Sequence, residues 1–477
     1  MKKYFYLLTT FLLTQSLFAQ QHSEQNHNKY VVPSDPKVKA KLSQWQDVKF
    51  GLLMHWGTYS QWGIVESWSL CPEDEGWCER RGPYKDNWYE YKKAYENLQN
   101  TFNPTQFAPE KWATAAKNAG MKYVVFTTKH HDGFCMFDTK QTDYKITKSP
   151  FGSNPRSNVA KEVFGAFRNE GFMIGAYFSK PDWHTDDYWW SYFPPKDRNP
   201  SYHPKKYPQK WENFKKFTYN QIEELMTDYG KVDILWLDGG WVRPFSTIDT
   251  TISWQKTIPF DQDIDMARIA KRGRELQPGL LVVDRTVSGE FENYVTPEHQ
   301  IPDSYMDIPW ETCMTMGDSW SYVPKENYKS ARKLIHILAD IVSKNGNLLL
   351  NVAPSPEGDF HPEAYQRLNE IGAWIKVNGE AIYETHGDNE VGPQGKWVFT
   401  HKGTAVYAIY RADEGEAIPQ TIEIDKLNLS KTAKITVVGN AENLKWIMKE
   451  GKTVVQIPEK LAKKIPHSYA YVLKITK

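Results

Sequence analysis

One carboxylate in this sequence stands where a catalytic group would be expected. Asp238 comes directly after the apolar run 234–237 and is followed by Gly239 and Gly240. Glycine lets the chain turn sharply and leaves space for a ligand. If the apolar run is a strand of a parallel barrel, its carboxyl end lies on the face where active sites are found. We therefore interpret Asp238 as a catalytic residue rather than as a cap of the segment that follows.

Other predicted strands end in side chains that can bind hydroxyl groups. These ends are His55-Trp56-Gly57, Lys129-His130-His131-Asp132-Gly133, Tyr177-Phe178-Ser179 and Asp284-Arg285, and Trp236 and Trp241 flank Asp238. Imidazole and guanidinium groups orient hydroxyl groups through hydrogen bonds, while indole rings cover the apolar face of a sugar. Each histidine alone could be a buried structural residue. Together, at one face of a barrel, these side chains predict a carbohydrate-binding pocket around Asp238.

The neighbouring histidines His130 and His131 also raise the question of a metal ion. Adjacent residues on a strand point to opposite faces of the sheet, so these two are poorly placed to share one ion unless the chain has already turned. The sequence has no HExxH motif and no CxxC spacing that would supply further ligands. We therefore predict no metal site.

Short apolar runs alternate with helix-length segments through most of the chain. The runs are 50–54, 123–127, 173–178, 232–237, 280–283 and 348–352. Nearly continuous apolar strands are typical of a parallel sheet that helices cover on both faces. Between them, 109–118 begins with proline and 211–229 ends before glycine, as helices do. The pattern predicts an α/β fold, a (β/α)8-like TIM-type barrel, over residues 47–382.

The pattern changes near Tyr383. From there on, short apolar runs are separated by turn residues without a helical period; they are 397–400, 405–410, 421–424, 433–438, 453–457 and 469–475. This predicts an all-β sandwich domain over residues 383–477. A segment rich in Trp, Tyr, Pro and Asp, residues 183–210, has neither period, and we expect a structured loop near the barrel mouth.

The composition excludes some classes of partner, and the first residues predict export. The 477 residues carry 59 Lys and Arg against 58 Asp and Glu, so no net charge favours nucleic acid or an anionic membrane.

Lys2 and Lys3 precede an apolar run that ends at Phe18, which predicts a signal peptide over residues 1–19 and a lead-in over 20–46. An uncleaved N-terminal anchor is the alternative. No later apolar stretch could span a bilayer, so we expect an exported chain, periplasmic or secreted, without a membrane span.

Four sequence blocks, in this order, resemble the α-L-fucosidases of glycoside hydrolase family 29. They are KFGLLMHWG from Lys49, KYVVFTTKHHDGF from Lys122, WLDG from Trp236 and GNLLLNV from Gly346. The resemblance extends over residues 47–383 and is looser in the β-rich tail. It implies a barrel followed by a β-sandwich, and hydrolysis of terminal α-L-fucosyl residues of glycans or glycoconjugates with retention of configuration. It also implies that no metal or cofactor is used.

The resemblance further implies roles for individual residues. Asp238 matches the family's nucleophile, which forms a covalent fucosyl-enzyme intermediate. Trp320 matches an aromatic residue that packs near the methyl group of fucose. The residues that match binders of the sugar are His55, Glu66, Trp68, His130, His131, Tyr177, Trp236 and Arg285.

Retention requires a second carboxyl group, about 5 to 5.5 Å from the nucleophile, that acts first as acid and then as base. The family does not fix its place in the sequence. We predict Glu298, which lies in the loop after the Asp284-Arg285 strand end, where several family members place this residue. A loop glutamate can have its pKa raised by burial beneath a bound sugar. Glu311 is the main rival, and Glu290 and Glu292 are weaker candidates.

Two other functions are compatible with the sequence. A catalytically silent carbohydrate-binding protein could use the same pocket, although binding alone does not require a carboxylate in the place of Asp238. A metal-dependent hydrolase could be built on the histidines, and resistance to chelators would exclude it. The set of Asp238, the histidines and Arg285 favours the fucosidase over both alternatives.

Overall fold

The computed structural model describes residues 29–73 and 78–476. The predicted signal peptide, residues 1–19, lies outside this part of the chain. Within it, no helix is both long and apolar enough to cross a membrane. The first helix, α1 (Pro36–Val48), lies mostly in the predicted lead-in and ends just before the first strand.

In the described part of the chain, a parallel sheet of seven strands forms the centre of the larger domain. Its strands are β1 (Phe50–Met54), β2 (Tyr123–Lys129), β3 (Met173–Ser179), β4 (Ile234–Asp238), β5 (Leu281–Asp284), β6 (Glu311–Thr315) and β7 (Asn347–Asn351). Their order is β5-β4-β3-β2-β1-β7-β6, and neighbouring strands are parallel. Almost every strand residue is buried, because helices cover the outer face and the curled sheet packs its inner face on itself. The predicted class, a barrel-like α/β domain, is confirmed.

The helices that follow the strands cover the outside of the sheet. They are α2 (Trp88–Glu96), α3 (Pro109–Asn118), α4 (Val159–Asn169), α5 (Pro208–Asp228), α6 (Met266–Leu276), α7 (Ala331–Ser343) and α8 (Pro362–Asn378). Helix α1 instead closes the amino-terminal end of the barrel. Its Trp45 ring stacks on Tyr294, with centroids 3.8 Å apart, and meets the edge of Tyr123, the first residue of β2. These rings and Trp236 belong to one core that fills the barrel interior.

The barrel is completed by an irregular segment rather than by an eighth strand. Strands β5 and β6 are the two edges of the sheet, and residues 285–310 run between them. This segment, which we call the closing segment, makes single bridges that pair Val283 with Glu292, Val295 with Trp310, and Glu298 with Cys313. The gap is therefore closed with few main-chain hydrogen bonds, and the closing segment carries Glu298.

Most elements agree with the sequence-based prediction, but β6 was not predicted. Strand β1 and helix α3 have the predicted bounds, and the other predicted barrel strands differ from the observed ones by one or two residues at an end. Three of the five β6 residues are polar. Thr312 Oγ1 donates to the carbonyl oxygen of Gln300 and Thr315 Oγ1 to that of Gly317, each at 2.6 Å. A buried strand whose polar groups find partners leaves no apolar run to reveal it.

The long segment before α5 forms part of the barrel mouth. Residues 183–207 contain no strand or helix, as expected. Trp183 and Trp189 are buried there and stack with an interplanar angle of 6°. Trp183 also contacts Trp68 and His131. The loop is therefore ordered by its own aromatic side chains.

The C-terminal part consists of two antiparallel sheets. Their strands are β8 (His386–Gly387), β9 (Trp397–Lys402), β10 (Ala405–Arg411), β11 (Thr421–Asp425), β12 (Lys434–Val437), β13 (Lys445–Lys449), β14 (Lys452–Gln456) and β15 (Ala470–Thr476), with one short helix, α9 (Glu459–Ala462). The sheet orders are β12-β15-β10-β9-β8 and β11-β14-β13. Phe399 from one sheet and Ile422 and Val455 from the other belong to one core. Strand β13 escaped prediction because nearly all of its residues are exposed.

This β domain is docked on helices α7 and α8. Trp374 Nε1 donates to the carbonyl oxygen of Ala470 at 2.9 Å, and Arg332 Nη1 donates to that of Ala412 at 2.7 Å. His336 Nε2 lies 2.7 Å from the carbonyl oxygen of Tyr469. The β domain therefore supports the two helices that follow β6 and β7.

Gly372 on α8 permits a close helix contact that a larger residue would prevent. A Cβ at this position would lie 2.2 Å from the main-chain oxygen of Asn118 at the end of α3. We expect Gly372→Ala to lower the free energy of unfolding by about 2 to 3 kcal/mol, because backbone atoms must move apart. Urea-induced unfolding measures the difference.

The matched control is Gly165→Ala in α4, where a Cβ would meet no atom within 4 Å. This substitution should raise the free energy of unfolding by up to about 1 kcal/mol, since alanine is the better helix former. Equal effects of the two substitutions would contradict the close contact at Gly372.

Candidate active site

A cavity of about 600 Å³ opens at the carboxyl ends of the barrel strands. Most of the residues predicted to form a site line it: His55, Glu66, Trp68, His130, His131, Trp236, Asp238, Arg285, Glu298 and Trp320. Tyr177 and Glu311 do not. The structure thus gathers side chains from widely separated strand ends around one space, as the barrel prediction requires.

Asp238 is the last residue of β4, and its side chain is 20% exposed toward the cavity. Its Oδ2 accepts a hydrogen bond from the Tyr177 hydroxyl at 2.6 Å. Its Oδ1 accepts from Arg285 Nη1 at 3.0 Å and from the main-chain N–H of Gly239 at 2.8 Å. Gly239 has φ 86°, so the turn that aims this N–H at the carboxylate favours glycine.

These contacts keep Asp238 ionised. Burial alone would raise its pKa, but the Arg285 cation, His131 at 4.0 Å and the hydrogen bond from Tyr177 outweigh burial. Together they hold the pKa of Asp238 well below the usual range of an aspartate. A carboxylate that is charged throughout the physiological pH range suits a nucleophile and not a proton donor.

Arg285 connects Asp238 with Glu298. While Nη1 donates to Asp238, Nη2 donates to Glu298 Oε2 at 2.8 Å. The guanidinium lies 4.5 Å from the centroid of the Trp236 ring, and its Nε donates to Thr296 Oγ1 at 3.2 Å. Because a guanidinium is planar and rigid, it holds the two carboxyl groups in a fixed relation.

Glu298 reaches the cavity from the closing segment, where the main chain is strained. The next residue, His299, has φ 54°, and its N–H donates to the carbonyl oxygen of Cys313 at 3.0 Å. Thr286, directly after Arg285, has φ 61°. Left-handed conformations are unusual for such residues and persist only where the surroundings enforce them. Both residues stand next to a charged group of the cavity.

A buried arginine enforces the conformation at Thr286. Arg243 Nη2 donates to the carbonyl oxygen of Thr286 at 2.7 Å and to its Oγ1 at 3.1 Å. Arg243 Nε donates to the carbonyl oxygen of Gly240. The chain after Asp238 is thereby fixed to the chain after Arg285. The sequence analysis missed this residue, because an arginine in a loop has no pattern that distinguishes it from a solvated one.

His130 and His131 both face the cavity, so the expectation from strand alternation was wrong. Strand β2 ends at Lys129, the chain has turned where the histidines lie, and their ring centroids are 4.2 Å apart. Ligand atoms of the two histidines and Asp238 lie within 4.8 Å of one another. The Arg285 cation on Asp238 repels a second cation. The absence of a metal requirement stays a prediction.

Burial favours the uncharged form of three ionisable groups of the cavity wall, His55, His130 and Glu66. Burial lowers the pKa of His55 to about 4 and that of His130 well below its usual range. Burial raises the pKa of Glu66 well above its usual range. The wall therefore presents neutral hydrogen-bonding groups, which suit a neutral ligand rich in hydroxyl groups.

Indole rings form the apolar part of the wall. Trp68 contacts Trp241 at 5.8 Å and His131 at 5.1 Å between ring centroids. On another side, Trp320 contacts His55 at 5.2 Å. Aromatic faces beside hydrogen-bonding groups are typical of sites that bind a sugar ring.

Tyr177 lies beneath the cavity and not on its wall, and its predicted contact with a sugar stays a prediction. It is fully buried and stacks on Trp236, with centroids 5.1 Å apart. Its hydroxyl donates to Asp238. In this position Tyr177 orients the carboxylate of Asp238.

The rival glutamates do not reach the cavity. Glu311 is fully buried below Trp236 and accepts hydrogen bonds from Trp236 Nε1 at 3.1 Å and from the Tyr123 hydroxyl at 2.6 Å. Glu292 is buried and accepts from the N–H of Thr286, and Glu290 is exposed. Of the glutamates considered for acid/base catalysis, Glu298 is the one that lines the cavity.

Several cavity-lining residues were missed by the sequence analysis. They are Trp254, Thr286, His299, Thr315, Asp318, Ser319 and Lys329. Most of them belong to loops, where no period indicates which way a side chain faces. Thr286 and His299 directly follow the predicted residues Arg285 and Glu298, which is the one sequence signal that could have found them.

A barrel mouth with two carboxyl groups on one guanidinium, between indole and imidazole walls, is typical of a carbohydrate-active hydrolase. Comparisons with known proteins identify the family. The family model described as "Alpha-L-fucosidase" matches residues 17–380, and that of the "Alpha-L-fucosidase C-terminal domain" matches residues 392–476. The chain belongs to the α-L-fucosidase family of glycoside hydrolases, which confirms the resemblance seen in the sequence.

Individual relatives agree along nearly the whole chain. An α-L-fucosidase of Branchiostoma floridae is 26% identical, with 94% of this chain and 96% of the relative covered. The solved structure of α-L-fucosidase isoenzyme 1 from Paenibacillus thiaminolyticus has a TM-score of 0.73 and 27% identity, covering 92% of this chain and 99% of that one. Thermotoga maritima α-fucosidase in complex with a mechanism-based inhibitor has a TM-score of 0.70 and 25% identity, covering 94% and 100%. The protein is therefore an enzyme of the fucosidase class.

The buried carboxyl group of Glu311 gives a test of the barrel interior. Burial raises its pKa to about 7, although the hydrogen bonds from Tyr123 and Trp236 oppose the shift. A raised pKa in the folded state contributes stability that is complete below the unfolded value of about 4.5 and is lost as pH rises through about 7. Glu311→Gln removes this loss. We expect the variant to gain roughly 2 to 3 kcal/mol relative to the wild type between pH 5 and pH 8.

Urea-induced unfolding at both pH values measures the gain. The control is Glu290→Gln, an exposed glutamate on the closing segment, whose difference from the wild type should not change with pH. A pH-independent difference for Glu311→Gln would mean that Glu311 is ionised in the folded protein.

Proposed function

We propose that this protein is a retaining exo-α-L-fucosidase that removes terminal α-L-fucosyl residues from glycans or glycoconjugates. The observation that carries the proposal is the bridge from Arg285 to both Asp238 and Glu298 at the cavity. One small guanidinium on both carboxyl groups favours the separation of about 5 to 5.5 Å used by retaining enzymes. Inverting enzymes need about 6.5 to 9.5 Å to admit a water molecule between the two groups.

In the first step, the Asp238 carboxylate attacks the anomeric carbon of the fucosyl residue. The bond from that carbon to the leaving oxygen breaks, and Glu298 donates its proton to this oxygen. The products are a fucosyl ester of Asp238 and the shortened glycan. Tyr177 and the N–H of Gly239 hold the carboxylate in place before the attack.

In the second step, the ionised Glu298 takes a proton from a water molecule, and the resulting hydroxide attacks the same carbon. The ester bond to Asp238 breaks, and the carboxylate returns to its hydrogen bonds with Tyr177 and Arg285. Two inversions at one carbon leave the configuration of fucose unchanged.

The charges of the site support this division of roles. Arg285 is one cation that faces two carboxyl groups. If one of these groups is protonated, the three side chains together carry no net charge. This state is favoured because burial of a net charge is costly. Asp238 holds the charge, because Tyr177, Gly239 and Arg285 all donate to it. The role of acid and base is then left to Glu298.

The cavity fits a terminal deoxy-sugar. Its neutral wall residues His55, His130 and Glu66 are available for hydroxyl groups, and the indole of Trp320 is suited to the methyl group of fucose. The space ends at Trp236, below which the barrel interior is packed. A cavity closed at its base admits the end of a glycan and not its middle. A solved relative, the Thermotoga maritima α-fucosidase, binds a mechanism-based inhibitor, which supports the assignment of this cavity as the active site.

We also propose that the enzyme is exported and acts in the periplasm or outside the cell. Support comes from the sequence, where Lys2 and Lys3 precede the apolar run that ends at Phe18.

The nucleophile is tested by Asp238→Ala and Asp238→Gly. Both variants should fold, and turnover of an aryl α-L-fucoside should fall by at least about three orders of magnitude, because no ester can form. Azide should restore a single displacement and give the β-fucosyl azide, with inverted configuration. Asp303→Ala, at an exposed aspartate, is the control and should keep full activity. Unchanged turnover without Asp238 would refute its role, and a wild type without any turnover would favour the silent binding protein.

The acid/base is tested by Glu298→Ala. Turnover of a fucosylated oligosaccharide should fall by about 10²- to 10⁴-fold, while an aryl fucoside with a good leaving group should lose less in the first step. Azide should accelerate the second step and give the α-fucosyl azide, with retained configuration. Glu311→Ala is the comparison, and rescue by azide in that variant alone would transfer the role to Glu311.

A further inference from the structure

Asn351, the last residue of β7, contacts two residues of the cavity wall although it does not line the cavity. Its buried Oδ1 accepts a hydrogen bond from the main-chain N–H of His55 at 3.2 Å and lies 2.9 Å from Nδ1 of the same histidine. Its Nδ2 donates to the carbonyl oxygen of Trp320 at 2.7 Å. One carboxamide therefore joins the end of β1 to the loop that carries Trp320.

The two main-chain partners determine which way the carboxamide faces. A main-chain N–H can only donate, and a main-chain carbonyl can only accept. The amide oxygen of Asn351 must therefore face His55, and the amide nitrogen must face Trp320. The reversed orientation would place donor against donor on one side and acceptor against acceptor on the other.

The orientation of Asn351 determines where His55 carries its proton. An amide oxygen cannot donate, so the hydrogen bond to it requires hydrogen on Nδ1 of His55. The ring is neutral near pH 7, because burial lowers the pKa of His55 to about 4. A neutral imidazole with hydrogen on Nδ1 has a lone pair on Nε2. Since Nδ1 faces Asn351 and His55 lines the cavity, Nε2 is the nitrogen left for a ligand.

We propose that Asn351 is a positioning residue that sets the tautomer of His55, so that the cavity presents a hydrogen-bond acceptor where a hydroxyl group of the ligand must donate. The same carboxamide fixes the loop of Trp320, so the acceptor and the adjacent indole wall depend on one side chain. The proposal deepens the proposed function and rests on it for the identity of the ligand. The tautomer of His55 is a property of the enzyme without ligand, so it can be measured independently of the proposed function.

The tautomer is measured by nitrogen NMR of the full chain with ¹⁵N-labelled histidine at pH 7. The His55 signals are assigned by their loss in His55→Gln. We expect a protonated Nδ1 and an unprotonated Nε2 in the wild type, and a ring without this preference in Asn351→Ala. A proton on Nε2 of the wild-type ring would overturn the proposal, whatever the activity of the enzyme.

Two substitutions separate the tautomer from the support of the Trp320 loop. Asn351→Ala and Asn351→Asp both lose the donor to Trp320, but the aspartate still accepts from Nδ1 of His55. Binding of L-fucose is measured by calorimetry. Asn351→Ala should weaken it on the order of tenfold, the worth of one hydrogen bond, while Asn351→Asp should bind nearly as the wild type at pH 8. Equal weakening in both variants would reduce Asn351 to a support of the loop and overturn the proposal.

The pH dependence of Asn351→Asp provides a second readout. A carboxylate beside His55 raises the pKa of the ring, so L-fucose binding should weaken as pH falls from 8 to 5, because an imidazolium cannot accept. The wild type should show no such loss from the ring in this range. The other ionisable groups that face His55 are the same in both proteins; they are Asp238, Glu298, Arg285, His130 and Tyr177. A pH profile of binding identical to that of the wild type would contradict the inference.

Asn347 is the matched control, since it is a buried asparagine on the same strand. Its Nδ2 donates to the carbonyl oxygen of Trp45 at 2.7 Å, at the other end of the barrel. Asn347→Ala should lose stability but keep the tautomer of His55 and the affinity for L-fucose.

If the wild type binds no L-fucose, the proposed function fails, while the NMR result still decides the role of Asn351. If Asn351→Ala does not fold, the comparison of wild type with Asn351→Asp decides it.

Discussion

Both carboxyl groups of the active site depend on a single guanidinium, that of Arg285. The register of the sheet pairs Leu237 of β4 with Asp284 of β5, so the next residues along the two strands, Asp238 and Arg285, stand side by side as a direct result of strand pairing. Because main-chain hydrogen bonds between β4 and β5 set this register, the distance between Asp238 and Arg285 is fixed. Glu298 joins the pair from outside the sheet, and the shared cation compensates for the charge of two carboxyl groups that are only 20% and 24% exposed.

Below this cluster, buried polar groups hold one another in place. Tyr177 supports Asp238, and Arg243 joins the two loops that follow β4 and β5. Lys180 donates to Asp284, and both side chains are buried. Each charged member of this layer has a partner, which compensates for the loss of hydration. The precision of the cavity therefore comes from side chains that no ligand touches.

The residues at the strand ends of the barrel could be predicted from the sequence, but most of the side chains that surround them could not. Asp238 was predictable because an apolar run followed by two glycines marks a strand terminus at a turn. Strand β6 was not, because three of its five residues are polar and the sequence does not show the partners that allow them to be buried, such as Tyr123 for Glu311. Arg243 was missed because a loop arginine that is buried has no sequence pattern that distinguishes it from a solvated one. The place of Glu298 rested on family resemblance, since position in the chain does not reveal which loop glutamate turns inward.

The closing segment gives the two carboxyl groups different freedom to change over evolutionary time. Asp238 ends a strand that pairs on both sides, so an insertion there would shift a whole register. Glu298 is held to β6 by one isolated bridge, to Cys313, and residues can be added or removed beside it without disturbing a strand. In related chains, a carboxyl group in the place of Glu298 can thus move to another loop position and fit a ligand of a different shape, while the carboxylate at the end of β4 stays where it is.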